Sequence, residues 1–300
     1  MKALIHDPSA SHGIRLADAP DPLPGPGQVL VENQAISLNY GELRNIAGNT
    51  PGTVPGWDSA GIVVRGASDG SGPPAGSRVV TFGWGGAWGA LRAVDTAELA
   101  IVPDTVESGA ASTLPVAAVT ALRALRDLGG VIGRRILVTG ASGGVGRFAV
   151  QLAARAGAHV IASVGSPERA EGLAALGAHQ LVTGLHGVQA PLHGILDNVA
   201  GPQLAAAFAL LAPGATAEWI GTVSGQAIPL DTPHKMSQGR LNAFFLGDLL
   251  GEDLSYLLTL LEHGNLDPQI AWRSTWHDVA AAADALFARR INGKAVLDVK

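Results

Sequence analysis

The segment 136–163 limits the folds open to this chain more than any other stretch of its 300 residues. A predicted strand, RRILVT (134–139), ends in a glycine-rich turn, and apolar residues then recur at helical spacing over 144–156. A second predicted strand, 159–164, follows after a short turn. A strand, a glycine turn, a helix and a second strand at this spacing predict a right-handed βαβ unit with parallel strands.

The residues of the glycine turn suit a phosphate group. Gly143 permits a tight turn, Gly144 lets the backbone approach a pyrophosphate, and Gly146 lets the helix pack closely on the strand. The free N–H groups and the positive end of the helix dipole would then face the phosphates. The pattern predicts a dinucleotide site, and the alternative is a turn that holds no ligand. The predicted cofactor contacts are Ser142, Gly143, Gly144, Val145 and Gly146.

The end of the second strand indicates which dinucleotide fits. Loops that bind NAD place an Asp or Glu about 20 residues further on, where it holds the ribose 2′-OH. This chain has Ser163 at that distance, and no acid stands at the strand end. Ser166 can hydrogen-bond a 2′-phosphate and Arg169 can neutralise it. We therefore expect NADPH rather than NADH, with an ordinary surface charge as the alternative role of Arg169.

The chain changes character near residue 108. Before it, short β-rich runs bounded by Gly and Pro predict a small sheet or barrel; they are 28–33, 60–66 and 77–83. Residues 107–125 favour a helix that Pro115 breaks or kinks. Strands and helices then alternate, which predicts a parallel sheet: further helices at 167–178 and 202–212, further strands at 194–199 and 217–223. The run 293–299 is predicted to be a strand of the first domain.

Composition excludes several classes of protein. The formal net charge is −5 without basic clustering, so we expect no nucleic-acid surface. The chain has no cysteine, which removes disulfides and thiolate zinc sites. No apolar run has the length of a signal peptide or a membrane span, so a soluble cytoplasmic protein without a membrane partner is expected.

Five segments together resemble one family. They are ISLNYGEL (36–43), VPGWDSAGIVV (54–64), STLPVAAVTALRAL (112–125), ASGGVGRFAVQLA (141–153) and GKAVLDV (293–299). With them, the chain resembles the medium-chain dehydrogenases/reductases of the zinc-free quinone oxidoreductase type over its whole length. Short-chain dehydrogenases share the pattern of 139–146 but need a Tyr-x-x-x-Lys pair, and here Arg44 and Leu260 stand four residues after the two tyrosines.

The resemblance implies an α/β protein with a GroES-like β-barrel catalytic domain and a Rossmann domain with a doubly wound parallel sheet. The barrel domain would comprise 1–115 completed by 252–300, and 116–251 would bind NADPH, with the active site in the cleft between them. Zinc-dependent members place their metal ligands where this chain has Asn39, Trp57 and Asp58. Asn, Trp and Asp cannot form a tetrahedral zinc site, so no metal is expected.

The resemblance also implies site residues. Asn39 and Thr120 should line the nicotinamide pocket, and Asn198 and Gly221 should border the cofactor; the alternatives are turn and packing roles. Tyr40 is the candidate general acid, because its phenol is protonated at neutral pH, unless it is merely packed against the barrel. Trp84 and Trp88 either wall an apolar acceptor site or pack in the barrel. His234 is expected to be a surface residue.

Three functions stay open on the sequence. The first is reduction of a quinone by NADPH without zinc, and the second is reduction of an activated C=C bond in an enone or 2-alkenal. Both follow because, without a metal, the substrate's own conjugation must spread the incoming charge. The third is a non-catalytic NADPH-binding sensor or crystallin-like protein. A homodimer is expected by similarity, and 241–250 is either its contact or part of the core.

Overall fold

A computed structural model describes residues 1–230 and 239–300, so His234 lies outside the described residues. The strands are β1 (Lys2–His6), β2 (Ile14–Asp18), β3 (Gln28–Leu38), β4 (Asp58–Arg65), β5 (Arg78–Phe82), β6 (Leu91–Asp95), β7 (Leu99–Ile101), β8 (Arg135–Thr139), β9 (His159–Val164), β10 (Gln180–Thr183), β11 (Leu192–Asp197), β12 (Leu211–Trp219), β13 (Arg240–Ala243), β14 (Ile270–Thr275) and β15 (Lys294–Asp298).

The described α-helices are fewer than the described strands. They are α1 (Tyr40–Arg44), α2 (Ser108–Ser112), α3 (Val119–Asp127), α4 (Gly144–Arg155), α5 (Gly201–Phe208), α6 (Gly251–Glu262) and α7 (Val279–Phe287). No described helix combines the length and the hydropathy that crossing a membrane requires. The described chain forms two compact units: the first comprises 1–119 and 247–300, and the second comprises 120–246.

The first unit is built on a mostly antiparallel sheet. Its strand order is β14-β15-β3-β4-β5-β7, and β6 pairs with β3 beside this path. The closing strand β15 lies antiparallel to β3, with Ala295 opposite Leu38. The prediction that 293–299 returns to the first domain is therefore confirmed. Its apolar core includes the fully buried Trp88.

The second unit contains a parallel sheet. Its strand order, β10-β9-β8-β11-β12-β13, is the 3-2-1-4-5-6 order of doubly wound dinucleotide-binding sheets, with every pair parallel. β8, α4 and β9 lie within one residue of the bounds predicted for them. The apolar side chains of β8, β9 and β11 bury one face of this sheet under α5.

Two sequence predictions for the second unit were wrong in part. No α-helix spans 167–178: a 3₁₀ turn covers Pro167–Ala170, and turns follow it. Gly172 has a φ of +78°, in the left-handed region, which ends helical geometry there. The helix predicted at 202–212 ends at Phe208, because Leu211 already begins β12.

Pro115 interrupts the helical segment as predicted. One π-helical turn, Leu114–Ala118, separates α2 from α3. Proline lacks the N–H that would continue the α-helical bonding pattern, and wide turns of this kind absorb such a break. The break also frees the N–H of Val116, which donates to Asp58 Oδ1 at 3.1 Å.

Candidate active site

The glycine turn of the second unit forms a cradle at the start of α4. Gly143 caps the helix with a φ of −81°, and Gly144 begins it. A Cβ atom built on Gly146 would lie 2.3 Å from the carbonyl oxygen of Gly140, so only glycine fits there. The first N–H groups of an α-helix have no intrahelical acceptor, and here they follow the turn that contains Ser142, with Val145 as the second residue of the helix. This geometry fits a diphosphate.

The residues predicted to select the cofactor lie around the end of β9. Arg169 Nε donates to Ser142 Oγ at 3.1 Å. This hydrogen bond connects the residue predicted to bind the 2′-phosphate with the glycine turn. Ser163 is fully buried, and its hydroxyl donates to Gly184 O at 2.7 Å and accepts from Gln203 at 2.9 Å. Ser166 precedes the 3₁₀ turn and hydrogen-bonds Glu168, which lowers the pKa of that carboxyl.

The structure brings Asn198 and Gly221 together at the carboxyl ends of the parallel strands. Asn198 Nδ2 donates to Thr139 O at 2.9 Å, at the end of β8. A Cβ atom on Gly221 would lie 2.5 Å from Asn198 O, so the two loops touch through their backbones. In doubly wound sheets this is the edge where ligands bind. Thr120 is buried in the first turn of α3.

A buried polar cluster surrounds Asn39 in the first unit. Asn39 Nδ2 donates to Asp58 Oδ2 at 2.8 Å and to Glu42 Oε1 at 3.0 Å. Its Oδ1 accepts from Lys294 Nζ at 2.5 Å. Lys294 is 2% exposed and pairs with the fully buried Asp58 at 3.4 Å. Because each end of the Asn39 amide faces groups of opposite hydrogen-bonding character, its orientation is fixed.

Glu42 is the second buried acid of this cluster. Its Oε1 also accepts from Trp57 N at 3.3 Å, whereas the buried Oε2 has no hydrogen-bond partner among the described residues. Burial, followed by the nearby charge of Asp58, raises the pKa of Glu42 to about 8.

Tyr40 lies beside Asn39 in sequence but in different surroundings. Its ring packs edge-on against Phe287 of α7, with centroids 5.7 Å apart. Phe287 also stacks on the ring of His12, with centroids 5.5 Å apart. Tyr40 is therefore part of an aromatic stack between α1 and α7, and its role as proton donor stays a prediction.

The two tryptophans singled out in 82–89 differ in environment. Trp88 is fully buried in the core, which is the packing alternative, while Trp84 is 47% exposed. The buried Arg92 holds the Trp84 loop by donating to Gly83 O and Gly85 O, both at 3.1 Å. Burial lowers the pKa of Arg92 to about 10, so the guanidinium stays charged at neutral pH.

Sequence reasoning missed Glu42, Lys294 and Arg92. Glu42 has the appearance of a solvated helix residue, and the fold places it beside a residue from β15, 252 positions along the chain. One signal was available for Lys294, a lone charge in the otherwise apolar run 294–297. A charged residue in such a run needs a buried partner.

Two family models match the chain. The alcohol dehydrogenase GroES-like domain matches 25–104, and the zinc-binding dehydrogenase model matches 144–263. A chloroplastic quinone oxidoreductase, QR1 of Triphysaria versicolor, is 29% identical over 98% of this chain and 96% of its own. The chain belongs to the medium-chain dehydrogenase/reductase family and is quinone-oxidoreductase-like, with a GroES-like domain and a Rossmann parallel sheet.

Solved structures share the same fold. A 2-haloacrylate reductase has a TM-score of 0.87 at 23% identity, with both chains covered to 100%. A mycobacterial protein complexed with NADPH has a TM-score of 0.87 at 24% identity, with 99% of each chain covered. These likenesses concern the fold.

The residues at the family's zinc position do not fit that ion. The ammonium of Lys294 already contacts Asn39 Oδ1 and Asp58 Oδ2, and its charge would repel a second cation. An amide and an indole are not zinc ligands either. Within 1–230 and 239–300, no three His, Asp or Glu side chains are grouped as a metal site.

Proposed function

We propose that this protein is an oxidoreductase that uses NADPH to reduce a quinone without the help of zinc. The observation that carries the proposal is the contact of Arg169 with Ser142 across the glycine turn, next to a strand end that lacks an acid. This arrangement combines a diphosphate cradle with a cation for a 2′-phosphate. The NADPH complex of the structural neighbour and the quinone oxidoreductase relative support the same assignment.

The cofactor's parts are assigned to separate groups of residues. Ser142, Gly143, Gly144, Val145 and Gly146 hold the diphosphate; Ser166 and Arg169 hold the 2′-phosphate, with Ser163 behind them. In the second unit, Thr120 is assigned to the nicotinamide end and Asn198 and Gly221 to the border of the cofactor; in the first unit, Asn39 is assigned to the nicotinamide end. When bound, NADPH supplies a hydride ion to the acceptor. Both N–H groups of the Asn39 amide are already engaged. Asn39 can therefore position the nicotinamide only through the remaining lone pair on Oδ1.

A proton must follow the hydride. Tyr40 is the assigned donor, while a quinone can instead take its proton from water. If Tyr40 donates, Tyr40→Phe should lower kcat by about 100-fold on acceptors that depend on an enzyme acid. An unchanged kcat on every accepted substrate removes Tyr40 from the mechanism.

The absence of a zinc requirement is testable by itself. The position beside Asn39 Oδ1 and Asp58 Oδ2 is already occupied by the ammonium of Lys294. Dialysis against a chelator should therefore leave the rate of NADPH oxidation unchanged, as measured at the NADPH absorbance. A loss of rate that zinc restores would refute this part of the proposal.

Reduction of an activated C=C bond is the second candidate. It is favoured by the likeness to a 2-haloacrylate reductase and by the same metal-free cluster. A panel of quinones, enones, 2-alkenals and 2-haloacrylates, followed by NADPH oxidation, separates the two reactions. Tight NADPH binding without turnover on any of them would instead indicate a non-catalytic NADPH sensor.

We also propose that the protein is a homodimer. β13 ends the parallel sheet of the second unit, and Phe245 just beyond it is 73% exposed. Large exposed apolar side chains beside a sheet edge are typical of interfaces. Light scattering on the purified protein should give twice the monomer mass, and a monomer at micromolar concentration would contradict this assignment.

A further inference from the structure

Trp57 and Trp84 form a right-angled aromatic corner in the first unit. Their ring centroids lie 5.3 Å apart and their planes are inclined by 80°. Phe82 packs edge-on against Trp84 at 5.0 Å. Trp84 is nevertheless 47% exposed, although burying an indole is strongly favourable. The corner therefore presents a large apolar surface that the chain itself leaves partly uncovered.

The Trp84 ring is held in place from two sides. Arg92, which is 2% exposed, binds the carbonyl groups of Gly83 and Gly85, the residues on either side of Trp84. A Cβ atom on Gly83 would lie 2.8 Å from Arg92 Nη2, so a larger residue there would displace the guanidinium. The indole N–H donates to Asp248 Oδ1 at 3.1 Å. A fixed ring with a satisfied polar atom loses little entropy on binding a ligand.

Trp57 joins the corner to the polar cluster. Its backbone N–H and the Asn39 amide donate to the same oxygen, Glu42 Oε1. Its ring lies against Gly41, where a Cβ atom would come within 3.1 Å of it. Glu42 Oε1 therefore links the corner to Asn39, the residue assigned to the nicotinamide pocket.

We propose that Trp57 and Trp84 bind a flat conjugated ring system, and that the acceptor is a fused-ring quinone rather than an open-chain 2-alkenal or 2-haloacrylate. The inference rests on the proposed function, whose acceptor it specifies. Two perpendicular rings accept a flat ligand by stacking on one and by edge contact with the other. In the reaction the quinone gains a hydride from NADPH and a proton from water, giving a hydroquinone and NADP⁺. An open chain has no ring face for this corner.

Kinetics on two acceptors test the preference. Trp84→Ala should raise the KM for 2-methyl-1,4-naphthoquinone about two- to tenfold, the range expected for an aromatic pair. Its KM for trans-2-hexenal should move much less, and Trp84→Phe should restore most of the naphthoquinone KM. Tyr256→Ala, which removes another exposed aromatic residue of the same unit, is the matched control. Equal changes for both acceptors, or none for the naphthoquinone, would overturn the proposal.

A binding measurement separates this proposal from the assigned reaction. Calorimetry with 2-naphthol, without cofactor, should detect binding to the wild-type protein and weaker binding to Trp84→Ala and Trp57→Leu. Failure of the wild type to bind 2-naphthol, or equal binding by the variants, would refute the aromatic corner. If the protein binds 2-naphthol in this way but none of the acceptors supports NADPH oxidation, the proposed function alone would be refuted.

Discussion

Replacing Glu42 by Gln tests the buried acid next to Asn39. Gln is a close match in shape to the protonated side chain, and its amide oxygen can accept from Asn39 and Trp57 as Oε1 does. The variant therefore keeps this side chain neutral at every pH. In the wild type, raising the pH removes a proton from a group that is 4% exposed and lies beside Asp58.

The size of the effect follows from the pKa. Burial raises the pKa of Glu42 from 4.5 to about 8 in the folded protein. A raised pKa in the folded state gives stability that is complete below the unfolded value and is lost as pH rises through the folded value. Each pH unit between these limits costs about 1.4 kcal/mol, so the window from pH 5 to pH 7 costs about 3 kcal/mol.

Urea denaturation followed by tryptophan fluorescence measures this loss. Between pH 5 and pH 7 the unfolding free energy of the wild type should fall by about 3 kcal/mol relative to that of Glu42→Gln. Glu32→Gln, a change at an exposed residue of β3, is the matched control and should follow the wild type. If Glu42→Gln and the wild type depend on pH in the same way, Glu42 does not hold a proton in the folded protein.

Three further predictions concern single residues. Arg169→Glu should raise the KM for NADPH about 10- to 100-fold, the effect of losing a charge-assisted hydrogen bond, and should change the KM for NADH far less; equal changes would contradict the 2′-phosphate assignment. Lys294→Met should lower the unfolding free energy by about 3–5 kcal/mol, because it leaves Asp58 buried without its cation. Lys2→Met, which removes the exposed ion pair with Asp18, should change the unfolding free energy by less than about 1 kcal/mol. Similar losses from both variants would refute the buried pair. Gly146→Ala should abolish measurable NADPH binding, since the added Cβ would lie 2.3 Å from Gly140 O, and unchanged affinity would show that the turn does not form the cradle.

Local patterns predicted the second unit well. The run before the glycine turn, the turn itself and the spacing of apolar residues after it are all encoded within 134–164, so β8, α4 and β9 could be placed from sequence. The prediction failed at 167–178, where the composition favours a helix but Pro167 and the left-handed Gly172 give a 3₁₀ turn followed by further turns. Helix propensity summed over a window of residues does not reveal that a single proline or left-handed glycine ends the helix.

The Asn39 cluster was predictable only in part. The motif around Asn39 pointed to the site, and the resemblance assigned it a role. The charge balance around it depends on α1, β4 and β15, which come together only through the pairing of β3 with β4 and of β3 with β15. The structure distinguishes the exposed Trp84 from the buried Trp88, and the three residues between them carry no sequence signal of that difference.

Calorimetric titration of the purified protein with NADPH, and separately with NADH, tests the central claim most directly. The account predicts saturable binding of NADPH at one site per chain, with clearly weaker binding of NADH, because Ser166 and Arg169 lie at the end of β9 where NAD-binding loops carry an acid. Absence of binding by either dinucleotide, or tighter binding of NADH, would contradict it.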